Sequence, residues 1–228
     1  MAAPSIRSSA VSTRATNATA DTITQPATIV DGDILTLIYG KDAAATTLTL
    51  PTGFTAIFGT TANYNDGGAV STVATKTAAS ESGTYAASSS VAERFSAYMG
   101  SIQGTSGIND YNETFEDPST GSIEAAPVLT SVNDCLILYL ITSDDVTGTV
   151  SCTSDGGATT LDKQQSQNSG CYVACFYEVQ ATAGSSAART FTLNVAQEWV
   201  CRTIAFAPPA AAGTAPPRLP VSRPMIGR

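Results

Sequence analysis

The chain has 228 residues, 43% of them hydrophobic but only 13% charged, with Ser, Thr, Asn and Gly carrying the polar share and Ala as filler. That vocabulary excludes long helices, which draw on Leu, Glu, Lys and Arg, and favours short strands rich in Thr, Val and Ile. All 19 acidic residues lie between Asp21 and Glu198 against five basic ones, so this body repels nucleic acid, while the flanks carry six basic residues and no acid.

In chain order, "SIRSSAVST" (5–13) and "TADTIT" (19–24) read as two short strands leading in. No continuous apolar stretch of signal-peptide type occupies residues 1–20, and no apolar run reaches membrane-spanning length, so synthesis without export and no membrane partner are expected. "IVDGDILTLIYG" (29–40) then reads as a turn feeding a strand that is apolar on both faces, and hence central in its sheet. "SVNDCLILYLIT" (131–142) repeats it, with Gly32 beside Asn133, Asp33 beside Asp134, Leu35 beside Leu136 and Leu37 beside Leu138, an offset of 101. Gly and Asn both tolerate the left-handed backbone that such a turn uses.

The echo continues through the chain. "TLTLPTGFTAI" (47–57) matches "TVSCTSDGGATTL" (149–161), placing Leu48 near Val150 and Leu50 near Cys152. "GGAVSTVATKTA" (67–78) matches "SGCYVACFYEVQA" (169–181), and "GTYAASSS" (83–90) matches "ARTFTLNV" (188–195), with Tyr85 beside Phe191. "ERFSAYMGSI" (93–102) matches "EWVCRTIAFA" (198–207), so Phe95 and Trp199 hold one place. The expected fold is all-β: a jelly-roll-like antiparallel β-sandwich built from an internal duplication, with an extended Pro-rich C-terminal arm. One repeat alone exposes an apolar face and two edges, so a single sandwich made from both halves is favoured over two small domains. The expected layout is a body over 1–208, with a first repeat at about 20–102, a long acidic linker at 103–127 and a second repeat at about 128–207, followed by an arm over 209–228.

The arm, "PPAAAGTAPPRLPVSRPMIGR" from Pro208 on, is too rich in proline for helix or central strand and is biased toward extended polyproline II. It suits a strap laid on another surface, with Arg218, Leu219, Pro220, Val221, Arg223, Met225, Ile226 and Arg228 as partner-binding residues.

Catalytic chemistry has little to work with. Histidine is absent, which removes the commonest general base and the Ser-His and Cys-His pairs, and no phosphate-binding pattern occurs. No catalytic, cofactor-binding or metal-binding residue is assigned, no cofactor is expected, and the protein is read as a non-enzyme. Paired carboxylates occur at Asp31/Asp33, Asp144/Asp145 and Glu116/Asp117; Asp31 and Asp33 flank a glycine before a strand and read as caps of that turn, and Asp144 and Asp145 read as solvated in a loop between strands. "NDGG" (65–68) and "SDGG" (154–157) are too poor in ligands for calcium loops. Trp199 is read as core, with a sugar-stacking platform as the rival. The five cysteines, Cys135, Cys152, Cys171, Cys175 and Cys201, are odd in number and set in apolar surroundings, so they read as buried free thiols; a bridge from Cys171 or Cys175 to Cys201 is the alternative.

Taken in order, "PSIRSSAV…TITQPATIVDGDIL", "LPTGFTAI", "FSAYMGSI", "APVLTSVNDCLIL" and "WVCRTIAFAP" resemble a β-sandwich module of tailed-bacteriophage virion proteins, over about residues 4–208. Tyr98-Met99-Gly100 stands where Tyr-Arg-Gly is more usual, and the second strand lacks the glycine of the Asp-Gly-Asp turn. The resemblance implies a structural or adhesive role without catalysis, in a virion assembled in the bacterial cytoplasm. The first expectation is a capsid decoration or cement protein whose partners are the major capsid protein, other virion proteins and further copies of itself. A tail or fibre adhesin that binds a host-surface glycan is the alternative. Neither nucleic acid nor membrane is an expected partner.

Overall fold

The structure, a computed structural model, describes residues 2–42, 46–58, 69–145, 149–154, 159–166 and 170–210, without the side chains of 69, 116–120, 144 and 145. The protein is all-β, and no helix occurs among the described residues. The first half supplies β1 (Ser5–Thr24), β2 (Ile34–Asp42), β3 (Leu48–Thr49), β4 (Thr55–Ala56), β5 (Ala69–Thr77) and β6 (Thr84–Gln103). The second supplies β7 (Gly107–Ala125), β8 (Leu129–Thr130), β9 (Cys135–Asp145), β10 (Cys152–Ser154), β11 (Thr160–Ser166), β12 (Gly170–Gln180), β13 (Gly184–Ser185) and β14 (Arg189–Ala207).

Two six-stranded antiparallel sheets result, and they share one connectivity. The first runs β1-β6-β2-β5-β4 with β3 also on β6. The second runs β10-β14-β9-β12-β11 with β7 also on β14, so β7 takes the place of β1 and β10 that of β3. β8 and β13 form a separate two-stranded ribbon.

The stretch 103–127, expected as a linker, therefore carries a 19-residue strand. Its polar, acidic composition reads as loop. Yet among the described strands it pairs along one edge only, with β14, and an edge strand can present polar side chains to water. Similarly, residues 5–13 and 19–24 are two parts of one bent strand, β1, with register shifts between Arg14 and Ala20.

The bends explain where the apolar residues go. Residues 20–24 of β1 pair with 84–88 of β6 beyond the register shifts, and Ile23, Tyr85, Ala87 and Leu48 pack over Leu35, Leu37, Tyr39 and Phe95 of the same unit. The second half does the same: Ile123, Phe191 and Cys152 pack over Ile137, Tyr139, Ile141 and Trp199. A third cluster lies between the two sheets, with Ile38, Val73, Tyr98 and Ile102 meeting Leu138, Leu140, Val173 and Ile204. Burial is thus divided among three clusters, not gathered in one interior. The strands' period of two places one set of side chains in each unit's own core and the alternate set at the shared face.

This two-faced burial moves the alignment of the halves by one residue. Phe95 pairs with Lys41 and Trp199 with Ser143, which sets the strand offset at 102, not 101. Leu35 therefore corresponds to Ile137; Leu136 points the other way, into the shared cluster. The left-handed turn residues are Gly32 and Asp134, at φ 91° and 59°, and Asn133 is not one of them. Both faces of these strands are apolar, so composition alone does not fix a one-residue slip.

Candidate interaction surface

The charged groups of the interior serve the fold. In the first unit, where β1 bends, the fully buried Lys41 ammonium lies 2.9 Å from Asp21 and donates to the carbonyls of Ala18 (2.6 Å) and Glu93 (2.9 Å). Arg14 pairs with Asp21 and donates to the same two carbonyls, at 2.8 and 3.0 Å, and the Tyr39 hydroxyl donates to Asp21. Both carbonyls belong to the irregular stretch where the β1–β6 register shifts, so the two cations supply donors where the regular ladder is interrupted. Burial pulls the Lys41 ammonium below its ordinary value, against the pull of Asp21.

Between the sheets, the fully buried guanidinium of Arg202 on β14 crosses to β5. It donates to Ser71 Oγ (2.6 Å) and Ser71 O (3.2 Å), holds Glu113 of β7 at 2.6 Å, and sits 5.4 Å above the Phe58 ring. Ser96 Oγ donates to the carbonyl of Cys171 (2.7 Å), and the Cys171 thiol donates to that of Gly40 (3.3 Å). An ideal Cβ on Gly40 would lie 2.9 Å from Thr142 Cγ2, so Gly40 lets the two sheets close to contact here.

The residues singled out from sequence fall as follows. Asp33 accepts from Val30 N (3.2 Å) and caps the turn before β2, as expected, whereas Asp31 accepts from Ser80 N (2.7 Å) and so caps the neighbouring turn after β5. Asp33 also holds Arg7 through two nitrogens (2.7 and 3.1 Å) and accepts from Ser101 Oγ (2.6 Å). All five cysteines are free and buried. Trp199 and Phe95 lie in the cores of their own units at 1% and 2% exposure, which leaves no platform at Trp199 for a sugar. Tyr98 curls over Gly100, whose added Cβ would meet the tyrosine hydroxyl at 2.6 Å, giving the Tyr-Met-Gly segment a packing role. The "NDGG" loop, residues 155–157 of the "SDGG" loop, and the side chains of Glu116, Asp117, Asp144 and Asp145 lie outside what is described. Among the described residues no cluster of three or more His, Cys, Asp or Glu is placed to hold a metal.

Among the described residues, an exposed apolar row that could meet a partner lies on β7. Ile108, Tyr111 and Phe115 are 37, 50 and 66% exposed, and they share the inter-sheet side of the strand with Glu113. At its start the row borders a cleft of about 430 Å³ formed by Thr55, Ala56 and Ile57, Thr75 of β5, and Ile108–Tyr111. Phe58 meets Tyr111 edge-on at 5.2 Å, anchoring the row to the first sheet. Sequence reading passed over these residues because their segment was taken as a linker. The spacing of Tyr111, Glu113 and Phe115 was the available signal, two-residue alternation on a half-covered strand. The arm residues Arg218, Leu219, Pro220, Val221, Arg223, Met225, Ile226 and Arg228 lie outside the described residues.

No family model matches the chain, and neither a curated protein nor a solved structure does.

Proposed function

We propose that this is a non-enzymatic bacteriophage virion structural protein, a capsid decoration or cement protein. In this reading it is a jelly-roll-like sandwich made by internal duplication that binds and stabilises the shell through its body and its extended, Pro-rich arm, residues 209–228. The observation that carries the reading is the ordered set of motifs from "PSIRSSAV" to "WVCRTIAFAP", together with their placement. The turn carboxylates, the Tyr-Met-Gly segment and Trp199 all have packing or capping roles, as the structural role implied by the resemblance requires. The partners are the major capsid protein, other virion proteins and further copies of the chain.

The adhesin reading places aromatic residues together on a loop end, where a glycan could stack. The exposed aromatics Tyr111 and Phe115 lie instead on an edge strand, which favours a protein partner. Quantifying the protein in purified particles, with labelling to locate it, tests the choice. Hundreds of copies over the shell support decoration; a handful at the tail gives the adhesin reading; absence from particles removes both. Deleting residues 209–228 should leave a folded body that no longer assembles stably, and full-affinity assembly without the arm would overturn the strap.

A further inference from the structure

We infer that the cleft between β4, β5 and β7, with the aromatic row that extends from it, is the seat of the chain's own C-terminal arm, residues 211–228. The inference concerns the isolated protein and stands whether or not the virion reading does.

The point of departure is the first observation. Ala207, the last residue of β14, pairs with Gly107, the first of β7. Thr105 Oγ1 donates to the Ala207 carbonyl at 2.8 Å and Ser106 Oγ to that of Pro208 at 2.9 Å. The chain therefore leaves the body one residue from Ile108, at the mouth of the cleft. Reach is the second. From Gly107 to Phe115 the strand runs roughly 26 Å at its usual rise per residue. Counted from a reversal at Gly213, ten residues of polyproline II, from Gly213 to Arg223, cover roughly 31 Å. The spacer "AAAGTA" holds the glycine for the reversal, and "PPRLP" then falls alongside Tyr111 and Phe115.

Chemistry is the third. The prolines at 216, 217, 220 and 224 lack the N–H that strand addition to β7 would need, but their rings suit aromatic faces. Tyr111 and Phe115 supply those faces, and Ile108 an apolar floor. Charge agrees as well: the arm carries Arg218, Arg223 and Arg228 and no acid, and Asp110 lines the cleft on an acidic body. An arm seated here would also cover a long edge strand whose second edge no described strand pairs, an exposure that otherwise invites edge-to-edge association.

Trypsin reads the arm directly, because Arg218–Leu219 is its one readily cut internal bond; Arg223 is followed by proline. The initial rate of that cut is measured in the full-length protein and in a synthetic peptide of residues 209–228. Cleavage of a docked segment follows its undocked fraction, so the native chain should be cut at least about tenfold more slowly than the peptide. Tyr111→Ser with Phe115→Ser should bring the rate to within about twofold of the peptide, with the body uncut, while Leu129→Ser at another exposed position leaves protection unchanged. Excess free peptide should accelerate cleavage of the wild-type arm by taking its seat, which needs no variant. Protection should be the same at every protein concentration. A native arm cut as fast as the peptide, or protection that survives the double substitution, would overturn the assignment; protection that fades on dilution would give the seat to the arm of a second copy.

Discussion

Gly40→Ala probes the closest approach of the two sheets. Gly40 is buried in mid-β2 with an ordinary extended backbone, so alanine is conformationally allowed and by itself stabilises by about 0.4–1 kcal/mol through the unfolded chain. Against this stands the overlap. The new Cβ would lie 2.9 Å from Thr142 Cγ2, whereas carbon atoms prefer about 3.5–4.0 Å. Both strands are central in their sheets, so overpacking should cost about 1–3 kcal/mol. The net expectation is a loss of about 1–2 kcal/mol, read as a lower urea midpoint with an unchanged slope. Thr142→Ser removes the opposing methyl. The next neighbours of the new Cβ are then Cys171 Sγ and Ser71 Cβ, both at an ordinary 3.7 Å. In that background Gly40→Ala should be neutral or mildly stabilising, a coupling of about 2 kcal/mol in a double-mutant cycle. Equal costs in the two backgrounds would show that the sheets do not meet at this pair.

Three further outcomes follow from the same packing. Arg202→Ala should cost about 3 kcal/mol or more in chemical denaturation, since it strands Glu113 and Ser71 at the inter-sheet face, and Arg202→Lys should not restore it because an ammonium cannot span both; a loss under about 1 kcal/mol would contradict this. Burial pushes the Asp33 carboxyl up, but hydrogen bonds from Arg7, Ser101 and Val30 N outweigh it and hold the group below its usual range. The stability this contributes is fully present above the unfolded carboxyl value of about 3.9 and is lost as pH falls through the lower folded value. The melting temperature of Asp33→Asn should therefore fall less steeply with acid than that of wild type, and parallel acid limbs would refute the link. Finally, the native protein should resist thiol alkylation at about pH 8, since all five cysteines are buried and burial pushes Cys152 up to about 12; denatured, unreduced protein should label at all five, and fewer would reveal a disulfide.

Much of this architecture was legible in the chain. Thr- and Val-rich runs between turn residues gave an all-β protein, and apolar settings gave buried thiols, because both depend on local composition. The turn role of Asp33 was readable for the same reason, since its partner Val30 lies three residues away; that Asp31 reaches across to Ser80 in the turn after β5 was not, because that turn comes alongside only when β2 pairs with β5. The equivalence of Phe95 and Trp199 was visible too, since a large aromatic before an apolar strand marks one place in each unit.

What sequence alone could not decide was which face of each strand meets which neighbour. "ILTLIY" and "CLILYLI" are apolar on both sides, so a slip of one residue leaves the pattern intact while sending Leu35 and Leu136 to different clusters. The acidic 103–127 segment reads as loop until β14 is there to pair with it, for an edge strand draws its stability from a neighbour, not from its own composition. Lys41 and Arg202 look like surface charges; only the bend of β1 against β6, and the closure of one sheet over the other, supply the carbonyls and carboxylates that hold them inside. Composition fixed what kind of elements form, because backbone preference and turn chemistry are local. The tertiary fold decided their register and their partners, because those depend on surfaces that come together only when both halves are folded.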